Sequence, residues 1–142
     1  MRFWDASAVV PLCVNEPLTL RVRALIDEDP ALVAWWGTQI ECFSAFARLR
    51  RGAVLTRRDE EQARHVLLRL ASDWTEVEPG NQVRDHAIRA LLLHPLRAPD
   101  SLQLAAALVW TRSQPTDHHF VCLDERLRDA AQREGCTVLP TN

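Results

Sequence analysis

Four acidic residues stand where strands are predicted to end or helices to begin. Asp5 follows the short apolar run 1–4, and Asp124 follows the apolar run FVCL. Glu41 and Asp100 lie at the predicted starts of two helices. In an open parallel sheet, the carboxyl ends of the strands and the amino ends of the following helices share one edge, where ligands bind. We therefore expect the four carboxylates to converge in one cleft.

Each acid also has an explanation that involves no chemistry. Asp5 and Asp124 can cap the helices that follow them. Asp100 can complement the dipole of its helix, and Glu41 can complete a capping box with Thr38. Taken together, however, like charges held close to one another cannot all stay ionised without a compensating cation. Carboxylate oxygens favour hard ions such as Mg²⁺ or Mn²⁺ over Zn²⁺, which prefers nitrogen and sulfur ligands.

Cysteine, histidine and the basic residues give weaker signals. The four cysteines are too scattered for a zinc knuckle or a redox pair, and we expect buried thiols. The adjacent pair His118 and His119 lies in a polar run that is typical of a solvated turn. All 17 basic residues are arginine, so a mechanism that needs a lysine ammonium group is excluded.

The elements that must position these side chains alternate between short β-rich runs and longer helical periods, which indicates an α/β sheet with crossover helices. Strands are predicted at 1–4, 32–36, 74–77, 120–123 and 137–139. Helices are predicted from Ser7, which can cap the first one, and over 18–28, 38–51, 56–72, 83–93, 99–110 and 125–134. Thr56 and Asp59 form a second capping-box pattern. The run 102–110 is apolar nearly all round, so its helix should be buried.

Length and composition indicate a single soluble domain spanning 1–142. The chain has 142 residues, of which 47% are hydrophobic and 25% charged, as in globular proteins with one core. Its formal net charge of -2 gives no overall attraction for nucleic acid. No secretory signal is visible, and no apolar run approaches the length of a membrane span. We expect a cytoplasmic protein with no membrane association.

Four segments resemble, in order and spacing, the PIN-domain ribonucleases, and especially the VapC toxins of bacterial toxin–antitoxin pairs. They are FWDASAVVPLCVNEP, TQIECFSAFARLRRG, RAPDSLQLAAAL and HHFVCLDERLRDAAQREG. The resemblance implies a Rossmann-like, three-layer α/β/α PIN domain with a mainly parallel central sheet. It also implies RNA hydrolysis that depends on Mg²⁺ or Mn²⁺, a homodimer, and a small VapB-like antitoxin that lays a peptide across the active cleft.

The resemblance also assigns roles to particular residues. It makes the four acids both catalytic residues and metal ligands: Asp5, Glu41, Asp100 and Asp124. It gives Ser7 the place of the small hydroxyl residue two positions after the first aspartate. Gln103 stands where relatives often have histidine, and Cys122 where many have threonine or serine, so the sequence leaves the roles of these two positions open.

An acidic cleft repels RNA, so basic side chains must hold the substrate backbone nearby. Arg48, Arg50 and Arg51, at the far end of the Glu41 helix, are candidates, and the alternative is a mixed-charge helix surface. Two rival functions are open. A phosphotransfer or receiver domain would also place aspartates at this edge, but such families rely on a lysine, which the chain lacks. A non-catalytic PIN-like module that binds RNA or protein is the alternative to a nuclease.

Overall fold

Five short parallel strands form the central sheet of the computed structural model, which describes residues 1–112 and 114–141. They are β1 (Arg2–Trp4), β2 (Leu32–Trp35), β3 (Thr75–Val77), β4 (His119–Val121) and β5 (Thr137–Leu139). Their spatial order is β3-β2-β1-β4-β5. The chain first builds outward from β1 through β2 and β3, and it then returns to the other side of β1 with β4. The sheet order therefore reverses between β1 and β4.

Helices cover both faces of the sheet. They are α1 (Ala6–Cys13), α2 (Thr19–Glu28), α3 (Thr38–Arg51), α4 (Arg57–Asp73), α5 (Asn81–Leu93), α6 (Ala98–Trp110) and α7 (Glu125–Arg133). Successive side chains of a strand point to opposite faces, so Phe3 packs in the core under α5, α6 and α7, while Trp4 packs in the core under α1 to α4. The predicted three-layer α/β/α fold is confirmed, with a sheet in which every pairing is parallel.

Aromatic packing holds together the two strands at the reversal. Phe3 of β1 and Phe120 of β4 are partners in register, and their rings stack with centroids 5.4 Å apart. Both side chains are buried, and a burial of this size contributes about 1.5–3 kcal/mol for each ring. The contact fixes β1 against β4 and so brings together the strand ends that precede Asp5 and Asp124.

Helix α6 is buried, as its composition predicts. The run Leu104–Leu108 is at most 5% exposed along a whole helical turn, and its three central alanines allow close approach of the neighbouring elements. Within the described residues, none of the helices combines the length and the apolar character that a bilayer crossing requires.

Of the two caps that the sequence offers for the first helix, Asp5 is confirmed and Ser7 is wrong. Helix α1 begins at Ala6, and Asp5 caps it by accepting a hydrogen bond from the backbone N–H of Ser7 at 3.0 Å. The hydroxyl of Ser7 instead accepts the backbone N–H of Leu123 at 2.9 Å. Ser7 therefore ties α1 to the segment after β4, and the cap falls to the aspartate at the end of β1.

The capping box predicted for Thr38 and Glu41 is also absent. Gly37 occupies the cap position of α3, and the structure records no side-chain hydrogen bond there. A Cβ atom on Gly37 would lie 2.6 Å from Nε1 of Trp35, so the close approach of the indole requires glycine. Thr38 is the first residue of α3, and its hydroxyl accepts from Nε2 of Gln103 at 3.0 Å.

The second predicted capping box is confirmed at the start of α4. The hydroxyl of Thr56 accepts the backbone N–H of Asp59 at 3.1 Å, and the Asp59 carboxylate accepts the backbone N–H of Thr56 at 2.9 Å.

The prediction of buried thiols is confirmed for Cys42, Cys122 and Cys136, whereas Cys13 is half-buried at the end of α1.

The histidine pair does not form a solvated turn. His119 begins β4, and both His118 and His119 are half-buried. The imidazole of His118 contacts the indole of Trp110 edge-on, with ring centroids 5.0 Å apart. His118 is therefore packed onto the end of α6 just before the chain enters the sheet at His119.

Candidate active site

The four predicted acids line one open cleft of about 620 Å³ at the carboxyl edge of the sheet. Asp5 and Asp124 follow β1 and β4, the adjacent strands at which the sheet order reverses. Glu41 lies in the first turn of α3 and Asp100 in the first turn of α6. The predicted convergence of the carboxylates in a cleft is therefore present in the structure.

Asp5 sits deep in the cleft wall and is only 5% exposed. Its Oδ2 accepts the backbone N–H of Ser7 at 3.0 Å, and the thiol of Cys122 donates to the same oxygen at 3.7 Å. The Ser7 hydroxyl is held by the backbone N–H of Leu123. These contacts fix the carboxylate of Asp5 between the ends of β1 and β4.

Asp124 is held by its own helix. Its Oδ1 accepts the backbone N–H of Leu127 at 3.0 Å and so caps α7. One turn along α7, the buried guanidinium of Arg128 donates to the carbonyl of Cys122 at 2.7 Å and to that of Pro140 at 2.8 Å. The segment that carries Asp124 is therefore anchored on both sides.

Glu41 and Asp100 belong to two helices that a buried side chain joins. Gln103, one turn after Asp100 on α6, donates from Nε2 to Oε2 of Glu41 and to the hydroxyl of Thr38. The sequence left the role of Gln103 open, because glutamine stands there in place of the histidine of many relatives. The partners of Gln103 lie more than sixty residues away in the chain. The structure makes it the link between the two acid-bearing helices.

The environment of the cleft disfavours the charged form of its acids. Burial raises the pKa of Glu41 from 4.5 to about 7, and repulsion from Asp5 and Asp100 adds to this effect, although the hydrogen bond from Gln103 opposes it. Burial likewise raises the pKa of Asp5 and of Asp100, and repulsion from Asp124 contributes to both. Burial also raises the pKa of the Cys122 thiol, so Cys122 is a neutral hydrogen-bond donor.

The donor chemistry of the cleft fits a hard divalent cation. Within 1–112 and 114–141, no group of three or more His, Cys, Asp or Glu side chains is arranged so that it could hold a metal ion unaided. Mg²⁺, however, usually keeps several waters and binds through one or two carboxylates together with substrate phosphates. A cation would also relieve the repulsion among the carboxylates. The acids thus suit an ion whose coordination is completed from outside the protein.

Of the three arginines predicted to bind substrate, Arg48 lines the cleft. Arg50 instead donates from Nε to the carboxylate of Glu60 on α4, at 3.0 Å, and Arg51 is exposed at the end of α3. Successive helix positions point in different directions, so neighbouring arginines on α3 cannot all face one site. Arg50 and Arg51 do not line the cleft, and the contact of these two residues with RNA stays a prediction.

Two charged residues of the cleft were missed by the sequence reasoning. Arg97, just before α6, lines the cleft with Asp100. Burial and repulsion from Asp124 raise the pKa of Asp100, and Arg97 opposes this rise through a backbone hydrogen bond and its positive charge. The position of Arg97 three residues before Asp100 is a sequence signal that could have predicted its place in the cleft. Glu16, in the segment between α1 and α2, adds a further acid to the lining. No sequence signal distinguishes it from an ordinary surface glutamate.

Comparison with known sequences identifies neither a matching family model nor a matching curated protein. Solved structures, by contrast, match the chain over most of its length. VapC20 from Mycobacterium tuberculosis, described as a sarcin-ricin loop cleaving toxin, has a TM-score of 0.68 and 14% sequence identity, covering 92% of this chain and 95% of its own. FitAcB from Neisseria gonorrhoeae has a TM-score of 0.69 and 16% identity, covering 99% of this chain and 97% of its own.

A toxin–antitoxin complex from Klebsiella pneumoniae also matches, with a TM-score of 0.63 and 11% identity over 89% of this chain and 88% of its own. These likenesses agree with the parallel sheet and the flanking helices. The chain therefore has the three-layer PIN-domain fold that its sequence motifs predict.

Proposed function

We propose that this protein is an endoribonuclease toxin of the VapC type that depends on Mg²⁺ or Mn²⁺. The observation that supports this function is the convergence of four carboxylates in one cleft at the reversal of the sheet order. The likeness to VapC20, a toxin described as cleaving the sarcin-ricin loop, supports RNA as the substrate.

In this proposal, the protein ligands of the ion come from the four acids of the cleft, with one or two carboxylates bound directly and the others acting through bound water: Asp5, Glu41, Asp100 and Asp124. When bound, such an ion supplies the positive charge that activates a water molecule and offsets the charge that develops as the phosphodiester bond breaks. Three of the acids commit one carboxylate oxygen to a hydrogen bond within the protein and keep the other for a ligand. Attack by water, rather than by the ribose 2′-OH, gives a 5′-phosphate and a 3′-hydroxyl.

Arg48 and Arg97 are proposed to hold the RNA backbone. Both line the cleft with the acids, and an arginine guanidinium can bind a phosphate through two parallel hydrogen bonds. Their charges offset part of the repulsion between the acids and the substrate. Ser7 acts on the site indirectly, because its hydroxyl is bound to the backbone of Leu123 and its N–H holds Asp5.

The experiment that tests the function compares purified wild type with Asp5→Asn on a structured RNA. Asparagine is as good a helix cap as aspartate, so the variant keeps its fold while the ligand charge is lost. We expect wild type to cleave in Mg²⁺ or Mn²⁺ and to stop in chelator, and Asp5→Asn to be inactive in both. Asp129→Asn on α7, where Asp129 is exposed and pairs with Arg133, is the matched control and should retain full activity.

Each result of that experiment has a definite meaning. Full activity of Asp5→Asn would refute the catalytic role of Asp5, and undiminished cleavage in chelator would refute the metal requirement. RNA binding without cleavage by wild type in either metal would favour the non-catalytic PIN-like module instead.

The two protein partners predicted from the sequence are part of the proposal. The match to a toxin–antitoxin complex supports a small VapB-like antitoxin. Exposed apolar patches are a feature of surfaces that contact other proteins. Helix α5 leaves four large apolar side chains exposed: Ile88, Leu91, Leu92 and Leu93. Light scattering at increasing protein concentration tests the homodimer, and a strictly monomeric chain would contradict it.

A further inference from the structure

A buried glutamine connects the helices that carry Glu41 and Asp100. Gln103 is 0% exposed, and it lies three residues after Asp100, on the same side of α6. Its Nε2 is 3.0 Å from the hydroxyl oxygen of Thr38, and it also donates to Oε2 of Glu41. Both acceptors belong to α3, so one side chain of α6 contacts α3 at two points.

These two contacts use the full donor capacity of the amide, which has two N–H groups. Thr38 and Glu41 are themselves three residues apart on α3 and therefore share a face of that helix. The amide of Gln103 cannot turn away from Glu41 without also breaking its hydrogen bond to the buried hydroxyl of Thr38. The contact with Thr38 thus restrains the amide group of Gln103 that donates a hydrogen bond to Glu41.

Packing alone does not account for a glutamine at position 103. Its other polar atom, Oε1, is buried and has no hydrogen-bond partner among the described residues. Buried polar atoms without partners are rare and reduce stability. A leucine or methionine would fill the same space, next to the apolar residues Leu104 and Ala106, without that cost. The contribution of Gln103 therefore lies in the two groups that its nitrogen contacts, which are the Thr38 hydroxyl and the Glu41 carboxylate.

We propose that Gln103 is a positioning residue, which is anchored by Thr38 and holds Glu41 in the orientation that turns its second carboxylate oxygen to the cleft. The effect of this orientation on catalysis rests on the proposed function, whereas the orientation itself does not. Groups that hold a metal ligand in place typically change metal affinity or activity 10- to 100-fold when they are removed.

The first test measures Mn²⁺ binding by titration calorimetry, which does not depend on turnover. Gln103→Met keeps the length of the side chain and removes both donors, and we expect it to bind Mn²⁺ about 10- to 100-fold more weakly than wild type. Thr38→Val removes only the anchor and should weaken binding less. Thr111→Val, which removes a buried hydroxyl that bonds Leu108 at the other end of α6, is the matched control and should leave affinity unchanged.

RNA cleavage separates positioning from a general loss of structure. Gln103→Met should lower kcat and leave KM for RNA unchanged, since Arg48 and Arg97 still line the cleft. Wild-type Mn²⁺ affinity in folded Gln103→Met would overturn the proposal. If Gln103→Met does not fold, the volume-conserving Thr38→Val decides in its place, and wild-type affinity in that variant would overturn the proposal equally.

A second test needs neither metal nor RNA. In chelator, the change in Tm caused by Gln103→Met should be much smaller when Glu41 is already alanine, because the two side chains are in contact. Additive changes in Tm would overturn the proposal. A wild type that neither binds Mn²⁺ nor cleaves RNA would refute the proposed function, and this thermodynamic cycle would then still decide whether Gln103 holds Glu41.

Discussion

Replacing Glu41 with glutamine should stabilise the metal-free protein at neutral and alkaline pH. Burial, with added repulsion from Asp5 and Asp100, raises the pKa of Glu41 in the folded state from 4.5 to about 7. Because the folded pKa lies above the unfolded value, folding favours the protonated acid. The stability that this group contributes is fully present below about pH 4.5, and it is lost as the pH rises through about 7.

The size of the effect follows from the same pKa values. The difference between 4.5 and about 7 corresponds to about 3 kcal/mol, and partial exposure of Glu41 reduces this to about 2 kcal/mol. Glutamine at position 41 still offers an oxygen to the N–H of Gln103, but it carries no charge. We therefore expect Glu41→Gln to melt about 6 °C above wild type at pH 8 in chelator, and close to wild type at pH 4.

Thermal unfolding followed by circular dichroism, with chelator at several pH values, measures this difference. Glu61→Gln, an exposed site on α4, is the matched control and should show no gain that depends on pH. A Tm difference that is the same at pH 4 and pH 8, or a variant that melts below wild type at pH 8, would refute the reasoning. Saturating Mg²⁺ should reduce the advantage of the variant.

Two further outcomes are expected. Burial and repulsion from Asp124 raise the pKa of Asp100, so Asp100→Asn should melt above wild type in chelator at pH 8. Mg²⁺ should reverse that order, because an ion at 100 times its Kd stabilises the folded state by about 2.7 kcal/mol and the variant binds the ion more weakly. A wild-type Tm that does not change with Mg²⁺ would contradict a metal site shared by the four acids. Burial raises the pKa of all four thiols, so iodoacetamide at pH 8 should leave nuclease activity intact, and rapid inactivation that RNA prevents would place a cysteine in the site.

The fold and the four acids were predictable because both depend on local patterns. The apolar runs that become β1 and β4 can be identified without knowing what packs on them. In a parallel sheet, the ends of such strands and the starts of the helices share one edge, so the positions of Asp5 and Asp124 in sequence predict their positions in space. Asp100 and Glu41 follow from the same rule.

The errors arose where two residues compete for one role, or where partners lie far apart in sequence. Asp5 and Ser7 are both good helix caps. In the structure Asp5 is the cap, because the Ser7 hydroxyl is hydrogen-bonded to the backbone N–H of Leu123. The contact of Gln103 with Thr38 and Glu41 depends on how α6 packs against α3. Propensity and spacing carry no information on such long-range contacts.

The capping role of two cleft acids has a consequence for how the proposed activity can be lost. Asp5 and Asp124 each cap a helix through one oxygen, and asparagine would do so equally well without repelling its neighbours. Asparagine at these two positions would thus serve folding at least as well as aspartate. The negative charge of the aspartates is therefore explained by the cation that it would attract. A single exchange at position 5 would yield a stable, silent copy that retains the outer surface of the active chain. Such a copy would compete with the active chain for the proposed antitoxin and for the proposed dimer contact.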